Sequence, residues 1–209
     1  LPILANKAIE PSSRSAQQLM RPILRQFGVP VSDHSVLIDT FATIKRLHES
    51  GRNHIWGYYV RNLIRPIWMS EEENRVDVLI GNPPWLRYNK MTSTMQDRYK
   101  VLCKERQLLK GKLGASARDL STLFVVRAVE LYLRPGGKFS FVMPHGVLTR
   151  NPHEGFRSGK WSSSSGTVIC AAFEKPWDLA GVNPTGFPMT AAVVRGTRTV
   201  DRPSKMPTA

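Results

Sequence analysis

Acidic side chains are scarce in this chain. Sixteen Asp and Glu stand against thirty Lys and Arg in 209 residues, a formal net charge of +14. That imbalance suits a polyanionic partner, held by phosphate contacts and counterion release. A solvated basic surface, or a piece whose acidic part lies elsewhere, gives the same composition. Cysteine is rarer still. Cys103 and Cys170 lie far apart and form no Cys-x-x-Cys pair, which excludes a disulfide framework and a zinc site and leaves two ordinary half-buried thiols. The five histidines, His34, His48, His54, His145 and His153, have no metal-ligand spacing. No apolar run is long enough to span a bilayer and nothing at the start reads as a signal peptide, so a cytoplasmic protein with no membrane partner is expected. The first residue is Leu1, and the true start is expected upstream. No Gly-x-Gly and no internal repeat occurs. The length suffices for one domain with a sizeable core.

What is present divides into three stretches: an irregular or helical lead-in over residues 1–53, a patterned middle over 54–195, and a disordered tail or truncated linker over 196–209. Ser15 to Phe27 reads as a short amphipathic helix ended by Pro30. Val36, Leu37 and Ile38 read as a short strand closed by Asp39, which is either a cofactor contact or, as favoured, the cap of a helix from Phe41 to His48. Gly51 breaks that helix. His54 to Met69 is a second helix, with Trp56, Tyr59, Val60, Leu63, Ile64 and Ile67 at helical spacing. Glu71 to Asn74 is a polar turn. Met91 to Leu113 is a basic amphipathic helix, with Met95, Tyr99, Leu102, Arg106 and Leu109 recurring on one side and Arg98, Lys100, Lys104, Lys110 and Lys112 outside.

Gly111 to Ala117 is a loose link. Asp119 or Ser121 caps a buried helix from Leu120 to Leu133. Arg134-Pro135-Gly136-Gly137 is a stop and turn before a strand from Lys138 to Met143, the pattern of a parallel α/β unit. A polar loop over 151–166 carries a short helix from Phe156 to Trp161. Thr167 to Phe173 is a strand, Pro176 to Pro184 a loop, and Met189 to Val194 the last strand.

The stretch that organises the rest is Val76-Asp77-Val78-Leu79-Ile80-Gly81-Asn82-Pro83-Pro84-Trp85. Its apolar run is that of a strand covered on both faces. Gly81 permits a tight exit. Pro83 and Pro84 fix two successive φ angles and donate no backbone hydrogen bond. Asn82 is biased toward an extended conformation, and its amide offers an acceptor and two donors. Trp85 adds a flat face. Together they describe a holder for a planar group bearing an amine.

That stretch, extended to Leu86-Arg87-Tyr88, resembles motif IV of the N6-adenine DNA methyltransferases of bacterial restriction-modification and phage-defence proteins. Asp119-Leu120-Ser121-Thr122-Leu123-Phe124 resembles motif V. Leu133 to Pro144 resembles the segment through motif VI, and Phe187 to Val194 resembles motif VIII. The resemblance covers roughly residues 54–195 and implies a partial Rossmann-like α/β fold with a mixed, mostly parallel sheet and flanking helices. It implies S-adenosylmethionine as cofactor, with Gly81, Asp119 and Phe124 near it. It implies double-stranded DNA as partner, gripped by Arg87, Lys90, Arg98 and Lys104, beside restriction or defence subunits or a fused nuclease. Asn82, Pro83, Pro84 and Trp85 are the implied catalytic residues. Trp85 and Phe187 would sandwich a flipped adenine.

The exocyclic amine of adenine is a poor nucleophile because its lone pair is delocalised. Acceptors for both N–H groups, from the Asn82 side chain and the Pro83 carbonyl, return density to it. Three departures stand against the pattern: no Gly-rich loop, no acidic ribose contact and no recognition domain. The expectation is a catalytic fragment that alone binds S-adenosylmethionine weakly or not at all. Two alternatives remain. One is methylation of an RNA base or a glutamine amide. The other is a non-catalytic DNA-binding remnant. His145, at a strand end, is expected to be structural rather than pocket-lining.

Overall fold

A computed structural model of the chain describes residues 14–51, 54–109, 118–163, 165–182 and 189–208. These form two units, 1–68 and 69–209. In the first, Ser15 opens helix α1 (Ala16–Gln26) with a reciprocal capping box to Gln18. Gly28, at φ +65°, turns the chain out of it. Helix α2 (Val31–Glu49) follows. Met20 and Leu24 of α1 pack with Ile38 and Phe41 of α2. The expected strand at Val36 to Ile38 is therefore helix, and Asp39 is internal to it rather than a cap. Ile38 and Phe41 fall three apart on one face, and their burial against α1 decides the matter.

Helix α3 (His54–Ser70) forms close to its expected bounds. Leu63 and Ile67, however, are exposed, because helical spacing fixes a face and not a neighbour for it. The side chains at 54–61, which include Trp56, Tyr59 and Val60, lie outside the described residues.

The second unit is one sheet with helices against it. After a polar turn at Glu72–Asn74 come strand β1 (Val76–Gly81), helix α4 (Ser93–Glu105), helix α5 (Leu120–Tyr132) and strand β2 (Leu133–Pro144). Short helices α6 (Gly146–Thr149) and α7 (Glu154–Arg157) precede strands β3 (Lys160–Ser162), β4 (Val168–Phe173), β5 (Trp177–Asp178) and β6 (Ala191–Thr199). The strand order is β1-β2-β6-β4-β3, with β5 also pairing to β6.

The α/β class holds, but the expected mostly parallel sheet does not. β1 with β2 is the parallel pair, whereas β2–β6, β3–β4, β4–β6 and β5–β6 are antiparallel. β3 and β4 are joined by a short link, as antiparallel neighbours can be. β1 is also an edge strand among the described residues. Val78 is 54% and Ile80 80% exposed, so the expectation of burial on both faces fails.

The Pro-Gly-Gly segment lies inside β2 rather than before it. Val76 pairs with Leu133 and Val78 with Lys138, so Arg134 to Gly137 bulge out of the ladder. Gly136 adopts φ +82° there, a conformation costly for any residue with a Cβ. Arg134 anchors the bulge through Asp77 at 3.1 Å and the Arg75 carbonyl at 2.7 Å.

α4 is shorter than expected, capped by Thr92 and ended at Arg106 and Gln107, the latter at φ +56°. Lys110 and Lys112 fall outside the described residues. α5 is buried nearly all round, as its apolar composition requires. Its C-terminal carbonyls, Val129 at 3.1 Å and Glu130 at 3.2 Å, accept from the Arg198 guanidinium, which also reaches Leu133. A cation there suits the helix dipole.

Two further expectations are corrected. The segment at 151–166 is not only a surface loop. Phe156 and Trp161 are fully buried and stacked at 5.7 Å between ring centroids, with Trp161 on β3 rather than in a helix. Burying rings of this size outweighs the polar flanks. The chain end is not a disordered tail. Thr197 to Thr199 complete β6, Ser204 bridges Ala172, and Met206 is buried with its N–H on the Arg157 carbonyl at 2.9 Å. Both cysteines are buried.

Candidate active-site cavity

β1 delivers the Asn-Pro-Pro-Trp turn. Gly81 lies opposite Phe141, and a Cβ there would sit 3.2 Å from that ring. Glycine therefore lets the two strands close where the turn begins. Beyond it Asn82 and Pro84 are exposed, Pro83 is buried and Trp85 half-buried. The Trp85 indole N–H donates to the Val142 carbonyl of β2 at 3.3 Å. The chain after Trp85 is stitched to the start of α5. Leu120 N–H donates to Leu86 at 2.9 Å, Tyr88 N–H to Arg118 at 3.0 Å, and Arg87 and Asp119 form a bridge.

This stitching creates a polar cavity of about 400 Å³. Trp85 and Arg87 form one wall and Arg118 and Asp119 another. His145, Arg150 and His153, from the connection after β2, form a third, and Met189 and Thr190 approach from before β6. Three arginines and one aspartate thus line the same cavity.

Asp119 caps α5. One of its oxygens accepts from Ser121 N–H at 2.9 Å and from the Ser121 hydroxyl. Its other oxygen stands 3.8 Å from Nε2 of His153, beyond hydrogen-bond reach. His153 is 4% exposed, and its Nδ1 is buried without a hydrogen-bond partner. Burial pushes its pKa below the usual value. Asp119 opposes that shift, and Arg157, Arg118 and Arg150 add to it. The imidazole is therefore neutral at neutral pH.

His145 pairs through Nε2 with Asp178 at 3.2 Å. The Ala180 N–H, and then His145, hold the Asp178 carboxyl below the usual carboxylate range. Behind the wall, the Tyr99 hydroxyl donates to the Asp119 carbonyl at 3.1 Å, and burial raises its phenol. Burial pushes the Cys103 thiol up to about 11, so it is no nucleophile.

Of the residues expected at the site, Trp85, Arg87 and Asp119 come together here. His145 also lines the cavity, where the sequence reading favoured a structural role. Asn82 stands at the end of β1 with its side chain exposed. Phe124 is 44% exposed on α5. Lys90, Arg98 and Lys104 are exposed and do not line the cavity. Phe187 lies outside the described residues. Sequence reasoning missed His153, Arg118 and Arg150. An isolated histidine without ligand spacing gives no signal, and the arginines could have been found only from their places beside motif V and after motif VI. Among the described residues no cluster of His, Cys, Asp and Glu is fit to hold a metal ion, and no helix is long and apolar enough to cross a membrane.

A family model described as Eco57I restriction-modification methylase matches residues 31–167. No curated protein matches the chain. Among solved structures, the ATP-dependent Type ISP restriction-modification enzyme LlaBIII bound to DNA is similar at TM-score 0.39 and 13% identity, over 65% of this chain and 10% of that one. A nuclease-deletion mutant of the Type ISP enzyme LlaGI in complex with a DNA substrate mimic is similar at TM-score 0.47 and 13% identity, over 74% of this chain and 16% of that one. The chain thus spans 10% and 16% of the lengths of these two enzymes.

Proposed function

Since this chain belongs to the Eco57I restriction-modification methylase family, we propose that it carries the target-base half of a DNA adenine-N6 methyltransferase that uses S-adenosylmethionine. The observation that carries this reading is the Asn82-to-Trp85 turn at the end of β1, with the Trp85 ring tied to Val142 at the wall of a polar cavity.

In this reading a flipped adenine stacks on Trp85, whose single N–H bond holds the ring plane. Stacking of this kind recovers about 1–3 kcal/mol of the cost of unstacking the base. Asn82 and the Pro83 carbonyl accept from the two N–H groups of the exocyclic amine and return electron density to its nitrogen. Phe187, which the motif VIII resemblance offers for the second face, lies outside the described residues. Arg87 and the basic surface of α4 contact the DNA backbone.

S-adenosylmethionine would supply an electrophilic methyl group. The described residues do not complete a site for it. Asp119 is committed to capping α5 and faces the cavity, Gly81 closes on Phe141, and the outer edge of β1 has no described neighbour. No chemical step is therefore assigned to the cofactor through this chain. Its own residues hold and polarise the acceptor.

The test is incubation of the enzyme that carries this chain with labelled S-adenosylmethionine and, in parallel, duplex DNA, RNA and protein. Label in N6-methyladenine of DNA is expected. Label confined to RNA, or to glutamine side chains, would overturn the reading.

A further inference from the structure

The cavity beside Trp85 is built for more than a base. Adenine is neutral, and neither its exocyclic amine nor its ring nitrogens call for a cluster of cations. Yet this cavity gathers Arg87, Arg118 and Arg150 against the single carboxylate of Asp119. Arg118 is almost fully buried and donates its Nε–H to the Pro152 carbonyl at 2.8 Å. The guanidiniums of Arg87 and Arg150 meet no acceptor or carboxylate among the described residues. Arg150 instead lies along Gly146, where a Cβ would come within 3.0 Å of its Cδ, so glycine leaves it room against that turn. His153 is buried beneath with its Nδ1 unpartnered. An orphaned buried polar atom is uncommon and destabilising unless something satisfies it. Asp119 does not, since its nearest oxygen is 3.8 Å from the other ring nitrogen.

We propose that this cavity holds a phosphodiester of the nucleic acid: Arg87 and Arg150 clamp its non-bridging oxygens, and the buried ring of His153 lines the same cavity. The proposal rests on the reading of Trp85 as a base platform and deepens it, because the ligand becomes a nucleotide rather than a base. Guanidinium suits the task, since its planar fork matches phosphate oxygens bidentately. Arg118, anchored through Pro152, contributes field rather than a movable contact. Asp119 faces His153 and supplies the counter-charge that holds the cluster together when the site is empty of anion. A cavity of about 400 Å³ is within the range of small-ligand sites. A phosphate held here fixes the sugar beside it, so the base arrives at Trp85 in one register.

Three DNA trinucleotides test this on the full chain. The first has a central adenine and natural linkages, the second has neutral methylphosphonate linkages, and the third is abasic at the centre. The natural trinucleotide is expected to bind about tenfold or more tightly than the neutral one, as charge-assisted hydrogen bonds imply. Arg87→Gln with Arg150→Gln should close that gap, while Arg202→Ala, on the exposed chain end, should leave it open. Thermal unfolding of each variant checks the fold, and the single Arg150→Gln change, at an exposed residue, serves if the double variant is unstable. Equal binding of the charged and neutral trinucleotides overturns the phosphate site and leaves the base platform standing. A gap that survives loss of both arginines also overturns it. Equal binding of the natural and abasic trinucleotides overturns the base platform and leaves the phosphate site. No binding of any of the three overturns both.

Discussion

The indole N–H of Trp85 donates to the backbone carbonyl of Val142 at 3.3 Å, fifty-seven residues away on the neighbouring strand. Through this bond the motif after β1 takes its orientation from β2. The ring so oriented lines the cavity. Trp85→Phe should keep most of the platform and lose the bond, costing about 1 kcal/mol of stability. Trp85→Ala should cost the same bond and also about 1–3 kcal/mol of base binding. Fluorescence titration with a 2-aminopurine oligonucleotide separates the two. Equal affinity of the Phe and Ala variants would show that the ring is not a platform.

Asn82 behaves differently because it is exposed at the strand end and its side chain supports nothing in the described fold. Asn82→Ala should leave the unfolding midpoint within about 0.5 kcal/mol of the parent, as for most exposed substitutions. In the enzyme that carries this chain it should abolish methyl transfer while DNA retention on a filter persists. Wild-type turnover would place the amine acceptor elsewhere.

Much of this organisation was legible in the residues, and the failures share causes. Helix α5 and the strands at Lys138 and Thr167 follow from apolar runs between strong stops. The position of β1 does not, because Val76-Asp77-Val78-Leu79-Ile80 reads the same in a sheet centre and at an edge. Val36-Leu37-Ile38 is too short to separate strand from helix, and only contact with Met20 and Leu24 settles it. Pro-Gly-Gly reads as a turn, yet Arg134 ties it to Asp77 and Arg75 as a bulge within β2. Within the site, Trp85 and Asp119 were visible because they lie in patterned segments. His153 was not, because burial gives a lone histidine its meaning and burial has no local signature.

Arg106 shows the same point from the side of stability. It falls in the apolar series of α4 and is fully buried. Its guanidinium meets Glu130 of α5 at 2.9 and 3.3 Å, Glu105 at 3.0 Å and the Leu102 carbonyl at 3.2 Å. Arg127 shares the Glu130 carboxylate at 2.9 Å. Glu130→Ala leaves a desolvated cation and should cost about 3–5 kcal/mol, whereas Arg106→Met with Glu130→Leu should be close to neutral. Urea unfolding of the three proteins decides it. A mild effect of Glu130→Ala would mean that Glu105 alone compensates the charge.

The neutral state of His153 predicts a pH dependence. Its pKa in the fold lies below 6.5, chiefly through burial, whereas the unfolded chain titrates near the ordinary value. As pH falls from about 6.5, the unfolded state takes up a proton that the fold refuses, and stability drops. Above 6.5 the group contributes no slope. His153→Gln removes that loss, so its stability should fall less than the parent's between pH 7 and pH 5.5. Equal slopes in chemical denaturation would mean that the ring is protonated in the fold as readily as outside it. Bound phosphodiester should shrink the parent's slope, because a protonated His153 then has an anion to face.

Gly159 carries the last prediction. It sits at φ +67° between α7 and β3, and a Cβ there would come within 2.5 Å of both the Ala171 and Ser204 carbonyl oxygens. Its own carbonyl accepts from Ala171 N–H at 2.7 Å, and Ser204 N–H donates to Ala171 at 3.1 Å. Three backbone segments therefore meet at one hydrogen atom, and the chain end is held in place there. Gly159→Ala adds left-handed strain of about 1–3 kcal/mol to a contact that backbone alone must relieve. The segment that can yield is the one ending in Ser204, since β4 is fixed on both sides by β3 and β6. The variant should lose stability and expose the residues around Ser204 to protease before the rest of the chain. Cleavage there at the parental rate would show that the chain end stays docked and that the strain is absorbed by α7.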